Sequence, residues 1–187
     1  MRTLFVTEFI SLDGVVEAPG GEEGYRHSGW TFDIEEDPAR YEFKVEETFA
    51  TQTLLLGRTT YEGFAAARPA RDGAFADKFN TMEKVVVSTT LDDPTWRNTT
   101  VVRDLDAVRA LKESDGGPIA VHGSATLARA LYTSGLVDQW NLMVFPVILG
   151  SGKRLFPTNA EDKQQLTLRE TRTFTNGIQL GIYETRR

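Results

Sequence analysis

The chain has 187 residues, 40% hydrophobic and 26% charged, an ordinary balance for a folded protein that predicts one domain and excludes disorder and fibrous repeats. Cys is absent, which removes disulfides, thiolate nucleophiles and sulfur-held zinc or iron, and makes a cytoplasmic location the expectation. With 21 basic against 27 acidic side chains, a formal charge of −6 and no Lys/Arg stripe, nucleic acid is not an expected partner; no apolar run approaches a membrane span, and Glu8 comes too early for a signal-peptide core.

In chain order, Leu4 to Ile10 is a β-prone run, followed by a long Gly-rich stretch from Gly14 to Trp30 that contains Pro19-Gly20-Gly21. A loop of that length is more often functional than accidental, which makes it a candidate site wall. Asp37 as N-cap and Pro38 near the start predict a helix over Ala39 to Ala50 with Tyr41, Val45 and Phe49 on its apolar face. Thr53 to Leu56 reads as a buried strand, Thr59 to Ala67 as a helix stopped by Pro69, and Lys84 to Val87 and Val101-Val102 as further strands. Asp104 caps a helix over Leu105 to Lys112, Ile119 to Val121 is a strand, and Ser124 opens an amphipathic helix over Ala125 to Tyr132.

Such alternation predicts a largely parallel sheet covered by helices on both faces. The last third changes character. Gln139 to Leu149, Leu166 to Phe174 and Ile178 to Thr185 read as strands, and Thr175-Asn176-Gly177 carries the Asn-Gly signal of a tight hairpin, so antiparallel strands finish a mixed sheet. Trp140 and Phe145 read as core or subunit-interface residues.

Three strand ends carry polar chemistry. His122-Gly123-Ser124-Ala125-Thr126-Leu127 follows a strand and opens a helix, where free N–H groups, the helix dipole and small residues suit a phosphate; the same segment also reads as a simple Ser N-cap after a tight turn. Gly57-Arg58-Thr59-Thr60 delivers an Arg at a second helix start, the side chain best suited to a ribose 2′-phosphate. Val87-Ser88-Thr89-Thr90 presents three hydroxyls after an apolar run. In open α/β sheets ligands bind beyond the carboxyl ends of the strands, so the three form a constellation. No Gly-x-Ser-x-Gly elbow occurs, which argues against a serine hydrolase, and Gly150-Ser151-Gly152-Lys153 lacks the first Gly and the Mg-binding hydroxyl of a P-loop.

The blocks Ser11-Leu12-Asp13-Gly14, Leu56-Gly57-Arg58-Thr59-Thr60-Tyr61-Glu62, Val87-Ser88, His122 to Leu127 and Phe145 to Phe156, in that order, resemble the dihydrofolate-reductase-like superfamily, and within it the reductase domain at the C-terminus of the bifunctional riboflavin-biosynthesis deaminase-reductase. The resemblance implies a three-layer α/β fold, NADPH as cofactor, hydride transfer to a small pterin-like or ribosylaminopyrimidine-like heterocycle, and a homodimer. It implies that Gly57, Arg58 and Thr59 face the adenosine 2′-phosphate with Ser88 and Thr89 in support, and that Gly123, Ser124, Ala125 and Thr126 take the pyrophosphate. It also implies that the loop Gly14 to Trp30 closes over the nicotinamide, with Trp30 and Asp13 at the cofactor and Ser28 at the substrate.

The riboflavin reductases carry a substrate-contacting Glu where this chain has Val121, which removes one basis for expecting ribosylaminopyrimidine as substrate. Dihydrofolate reductases place a carboxylate early in the first helix to support protonation. Asp33 and Glu42 fall in that region and are the candidate catalytic acids, since a partly buried acid beside the nicotinamide could relay a proton. The runner-up function is a ligand-binding domain that keeps the fold without catalysis.

Overall fold

A computed structural model describes residues 1–156 and 163–186. Eight strands form one sheet: β1 (Leu4–Ser11), β2 (Thr53–Gly57), β3 (Glu83–Val87), β4 (Thr99–Val102), β5 (Ile119–His122), β6 (Gln139–Phe145), β7 (Leu166–Thr173) and β8 (Gln179–Thr185). Their order is β4-β3-β2-β5-β1-β6-β8-β7. Neighbours from β4 through β6 run parallel, and β8 is antiparallel to both β6 and β7. All six parallel strands therefore end on one side of the molecule.

Five helices cover the sheet: α1 (Pro38–Ala50), α2 (Arg58–Ala67), α3 (Ala74–Thr81), α4 (Leu105–Glu113) and α5 (Ala125–Thr133). Strand alternation sorts the core between the faces. Leu4, Val6, Leu55, Val85, Ile119 and Val121 pack with Val108 of α4 and Leu127 and Leu131 of α5. On the other face Leu54, Leu56 and Val86 pack with Tyr61 of α2 and Phe79 of α3, while Phe43 of α1 joins Trp30, Met143 and Phe145.

The caps at Asp37 and Asp104 form as expected: Asp37 Oδ1 accepts from the amides of Ala39 and Arg40, and Asp104 Oδ1 from Ala107. Gly177, at φ +84°, turns the final hairpin. Four expectations need correction. Tyr41 and Phe49 are exposed, and α1 instead buries Phe43, Glu47 and Thr48, because it lies over polar side chains in the middle of the sheet and its buried stripe is largely polar. The sixth strand stops at Phe145 rather than Leu149, since Pro146 follows and supplies no ladder N–H. Helix α3, with Phe79 and Ala76 inward, is an additional element, because its eight residues are too short a run to establish a helical period and Gly73 ahead of it gives no side-chain cap signal. So is the 3-10 turn Trp30–Asp33, which closes the Gly-rich loop.

Candidate active site

The parallel sheet opens at one point. β1 pairs with β6 along Phe5–Ser11, yet with β5 only from Leu4↔Ile119 to Thr7↔His122. Past Thr7 the edge of β1 that faces β5 has no ladder partner, because β5 ends at His122 and the chain turns through Gly123 into α5. Strands that part at their carboxyl ends leave a cleft where open α/β sheets take ligands. Two surface hollows, one lined by Met1, Arg109 and Lys112 and the other by Tyr132, Trp140 and Phe156, lie away from these strand ends.

The turn after β5 is held from the neighbouring strand end. Gly123 has φ +53°, and a Cβ there would stand 3.2 Å from Thr60 Cγ2, so glycine is favoured by conformation and by the close approach of Thr60. The Ser124 amide donates to Thr60 Oγ1 at 2.9 Å, and the Gly57 amide donates to Ser124 Oγ at 2.9 Å. Ser124 is thus not a side-chain N-cap: it sits at φ +60°, and its hydroxyl faces Gly57 and the His122 carbonyl. The correction follows from the left-handed backbone, which turns Oγ away from the first helical amides. Those amides, at Ala125 and Thr126, have no intrahelical acceptor in an α-helix and lie just past the end of β5, and Thr126 is exposed.

The outer strand ends carry the cations. Arg58 opens α2, half exposed, with its guanidinium 3.1 Å from Glu62, and Thr59 is exposed beside it. Ser88 is buried, and its Oγ accepts the amides of Thr90 and Leu91, so it shapes the turn that presents Thr89. Arg103, just past β4, donates to the Ser88 carbonyl at 2.9 Å and pairs with Asp92. Sequence reasoning did not select it; its signal was a lone Arg between a short apolar strand and the helix cap Asp104. Because β4, β3, β2 and β5 are consecutive in the sheet, Arg103, Ser88, Arg58 and Gly123 lie along one edge.

The Gly-rich loop is folded against the far end of the chain. Asp13 is consumed there: Oδ1 accepts from Ser11 Oγ and the Leu149 amide, Oδ2 from the Gly150 amide, and Arg154 lies 3.5 Å away. These hydrogen bonds outweigh the opposing effect of burial and lower its pKa to about 2. Trp30 is buried, donates Nε1–H to the Glu17 carbonyl and packs edge-on to Phe145 at 5.2 Å. Ser28 donates to the Glu22 carbonyl at 2.5 Å. Here Asp13 and Trp30 fix the loop, and Ser28 stays within it.

The candidate acids do not have the burial their role requires. Asp33 and Glu42 are both exposed, because the end of the 3-10 turn and the outer face of α1 present these positions to solvent. Three carboxylates are buried among the described residues: Asp37, used up as the cap of α1 and by Thr175, and, in the sheet core, Glu47 and Glu8. Glu47 Oε2 accepts from Thr7 Oγ1 at 3.0 Å and pairs with Lys44, while Oε1 accepts from Asn141 at 2.7 Å. This network links α1 to β1 and β6 on the face where His122 meets Phe79 edge-on at 5.6 Å. Burial, with Lys44 and Arg68 nearby, pushes His122 well below its ordinary pKa, so it is neutral. Glu8, on the α5 side, is 4% exposed. Sequence reasoning passed over both acids, although an acid between Thr7 and Phe9 in an apolar central strand was a visible anomaly.

Residues 2–180 match the family model of the RibD C-terminal domain. The chain belongs to that family. Two Bacillus subtilis proteins resemble it along nearly their whole length: the uncharacterized protein YyaP at 27% identity, covering 97% of this chain and 94% of that protein, and the uncharacterized protein YwjB at 26%, covering 91% of each. Among solved structures, a candidate riboflavin biosynthesis protein from Shewanella sp. PV-4 superposes with a TM-score of 0.76 at 16% identity, covering 99% of each chain. Dihydrofolate reductase from Enterococcus faecalis, complexed with NADP(H) and RAB-propyl, superposes with a TM-score of 0.66 at 15% identity, covering 99% of this chain and 97% of that one. These likenesses show a dihydrofolate-reductase-like, reductase-type fold. Among the described residues no helix is long and apolar enough to cross a membrane, and no group of three or more His, Asp or Glu side chains is placed to hold a metal.

Proposed function

We propose that the protein is an NADPH-dependent reductase that transfers a hydride to a small heterocycle, pterin-like or ribosylaminopyrimidine-like. The observation that carries this reading is the parting of β1 from β5 directly beside the Gly123 turn, at the end of a row that includes Arg103, Ser88 and Arg58. The residues present fit the group: amides at the start of α5 for a pyrophosphate, a left-handed glycine where a Cβ would crowd Thr60, and two guanidinium groups for a 2′-phosphate. Bound there, the nicotinamide would supply the hydride.

The chain's own side chains would do the rest. The Ser124–Gly57–Thr60 stitch holds the turn rigid, so the phosphate site is preorganised and little entropy is lost on binding. Phe9, His122 and Phe79 would line the substrate side of the cleft, with neutral His122 able to donate or accept one hydrogen bond. The same reading includes a homodimer in the cytoplasm, and light scattering of the purified protein checks the subunit count.

Titration with NADPH and NADH tests the cofactor. Micromolar binding of NADPH, with NADH at least ten times weaker, is expected, and no binding of NADPH would overturn the reading. One observation favours the runner-up, a ligand-binding domain without catalysis: Asp33 and Glu42 both face solvent. Incubation with NADPH and a panel of pterins and aminopyrimidines separates the two, since steady loss of the reduced cofactor's near-ultraviolet absorbance marks the enzyme.

A further inference from the structure

Glu8 is a carboxylic acid that the fold buries with one oxygen, Oε1, left without a partner among the described residues. It is 4% exposed, and its Oε1 is shielded from solvent with no hydrogen bond among the described residues. An unpaired buried acceptor costs about 1–3 kcal/mol, so native structures keep few of them, and those that persist call for a ligand or a function. Its place in the sheet supplies the ligand. Glu8 lies one residue past Thr7↔His122, the last pair between β1 and β5, so it stands at the head of the cleft. Alternation with Val6 and Ile10 turns it to the face covered by Leu127 and Ala128 in the first turn of α5, not to the face where Thr7, Lys44 and Glu47 already satisfy one another.

We propose that Glu8 recognises the carboxamide of the nicotinamide ring, its carboxyl making a reciprocal pair of hydrogen bonds with the amide. This inference rests on the NADPH reading above. A neutral acid offers one O–H donor and one carbonyl acceptor side by side, which matches the C=O and N–H of a primary carboxamide. Burial supplies the neutral form, pushing the Glu8 pKa up to about 8 against the opposing pull of Lys44. The surrounding elements leave that acid little else to pair with. On β5 the titratable group is neutral His122; β6 carries none; Lys44 and Glu47 of α1 pair with each other across the sheet; and Arg129 of α5 donates to the Arg154 carbonyl. An aminopyrimidine edge presents similar donors and acceptors, but the α5 side is the phosphate side of the cleft, which favours the cofactor over the substrate.

The test compares NADPH with 2′-phospho-ADP-ribose, which keeps both phosphate groups and lacks the nicotinamide. The Glu8→Leu variant is expected to lose at least tenfold in NADPH affinity while binding 2′-phospho-ADP-ribose as the parent does, and Glu8→Gln, which keeps an adjacent donor and acceptor, is expected to bind NADPH within threefold of the parent. Should Glu8→Leu fold poorly, the parent and Glu8→Gln are compared between pH 7 and 9.5: the parent's NADPH affinity falls as Glu8 ionises, and that of Glu8→Gln does not. Equal losses for both ligands in Glu8→Leu, no loss for either, or parallel pH profiles would overturn the proposal. If the parent binds 2′-phospho-ADP-ribose and NADPH equally well, the cofactor site stands and the role of Glu8 falls; if it binds neither, both fall together.

Discussion

Glu47 and Glu8 are both buried, both within reach of β1, and opposite in what surrounds them. Glu47 is fully engaged by Lys44, Thr7 and Asn141, whereas Glu8 has a shielded oxygen with no partner among the described residues. A satisfied buried charge is a structural joint, here between α1 and the sheet. An unpartnered buried acid, kept neutral by burial, is a cost the native state carries, and it is the place we propose for the nicotinamide carboxamide.

Two large effects are expected, the first from breaking the satisfied member. Glu47→Ala leaves the Lys44 ammonium without its counter-charge, held only by Thr7 Oγ1, and the Asn141 amide without its acceptor, and is expected to destabilise by about 3–5 kcal/mol in urea unfolding. A loss below about 1 kcal/mol would show that the network contributes little. Glu8→Gln should do the reverse. The folded pKa of Glu8, about 8, lies above its ordinary value near 4.5, so the folded state holds the proton more tightly and the parent loses stability as pH rises through that window. The variant is therefore expected to match the parent near pH 4.5 and to exceed it increasingly toward pH 8, by up to about 1.4 kcal/mol per pH unit, with the gap level above that. Thermal unfolding across pH reads it, and a constant gap would contradict the burial of a neutral acid.

Smaller changes sharpen the contrast between the stitched turn and the open row of cations. Gly123→Ala strains a left-handed residue and drives a methyl toward Thr60, which should cost about 1–2 kcal/mol and loosen the phosphate site. Arg58→Ala should weaken NADPH about tenfold, about 1.4 kcal/mol, and leave NADH unchanged; equal losses would remove its 2′-phosphate role. Tyr41→Ser should change stability by less than about 0.5 kcal/mol, since Tyr41 is 58% exposed.

Much of the fold was legible because hydrophobic runs, caps and turn residues act locally. Asp37, Asp104 and the Asn176-Gly177 hairpin did in the structure what their chemistry dictates anywhere. The order of the strands, with β1 inserted between β5 and β6, is a tertiary outcome that no local pattern encodes. The three polar strand ends were legible for the same local reason as the caps. What escaped was what depends on partners distant in sequence. The buried face of α1 is polar because Thr7 and Asn141 receive it, 40 and 94 residues away from Glu47, and apolar periodicity misreads such a face. Ser124 was read as a cap because a serine before a helix usually is one; its hydroxyl is claimed by Gly57, 67 residues earlier. Asp33 and Glu42 were chosen for their position in the chain, and burial, which sequence position does not reveal, decides otherwise.

The central claim is that the cleft between β1 and β5 is a dinucleotide site. A crystal structure of the protein grown with NADPH tests it directly. The account predicts the pyrophosphate on the amides of Ala125 and Thr126, the 2′-phosphate between Arg58 and Arg103, and the nicotinamide between β1 and β5 beside Glu8. A dinucleotide bound away from the ends of β1, β2, β3 and β5, or bound there with its phosphates off the start of α5, would contradict it.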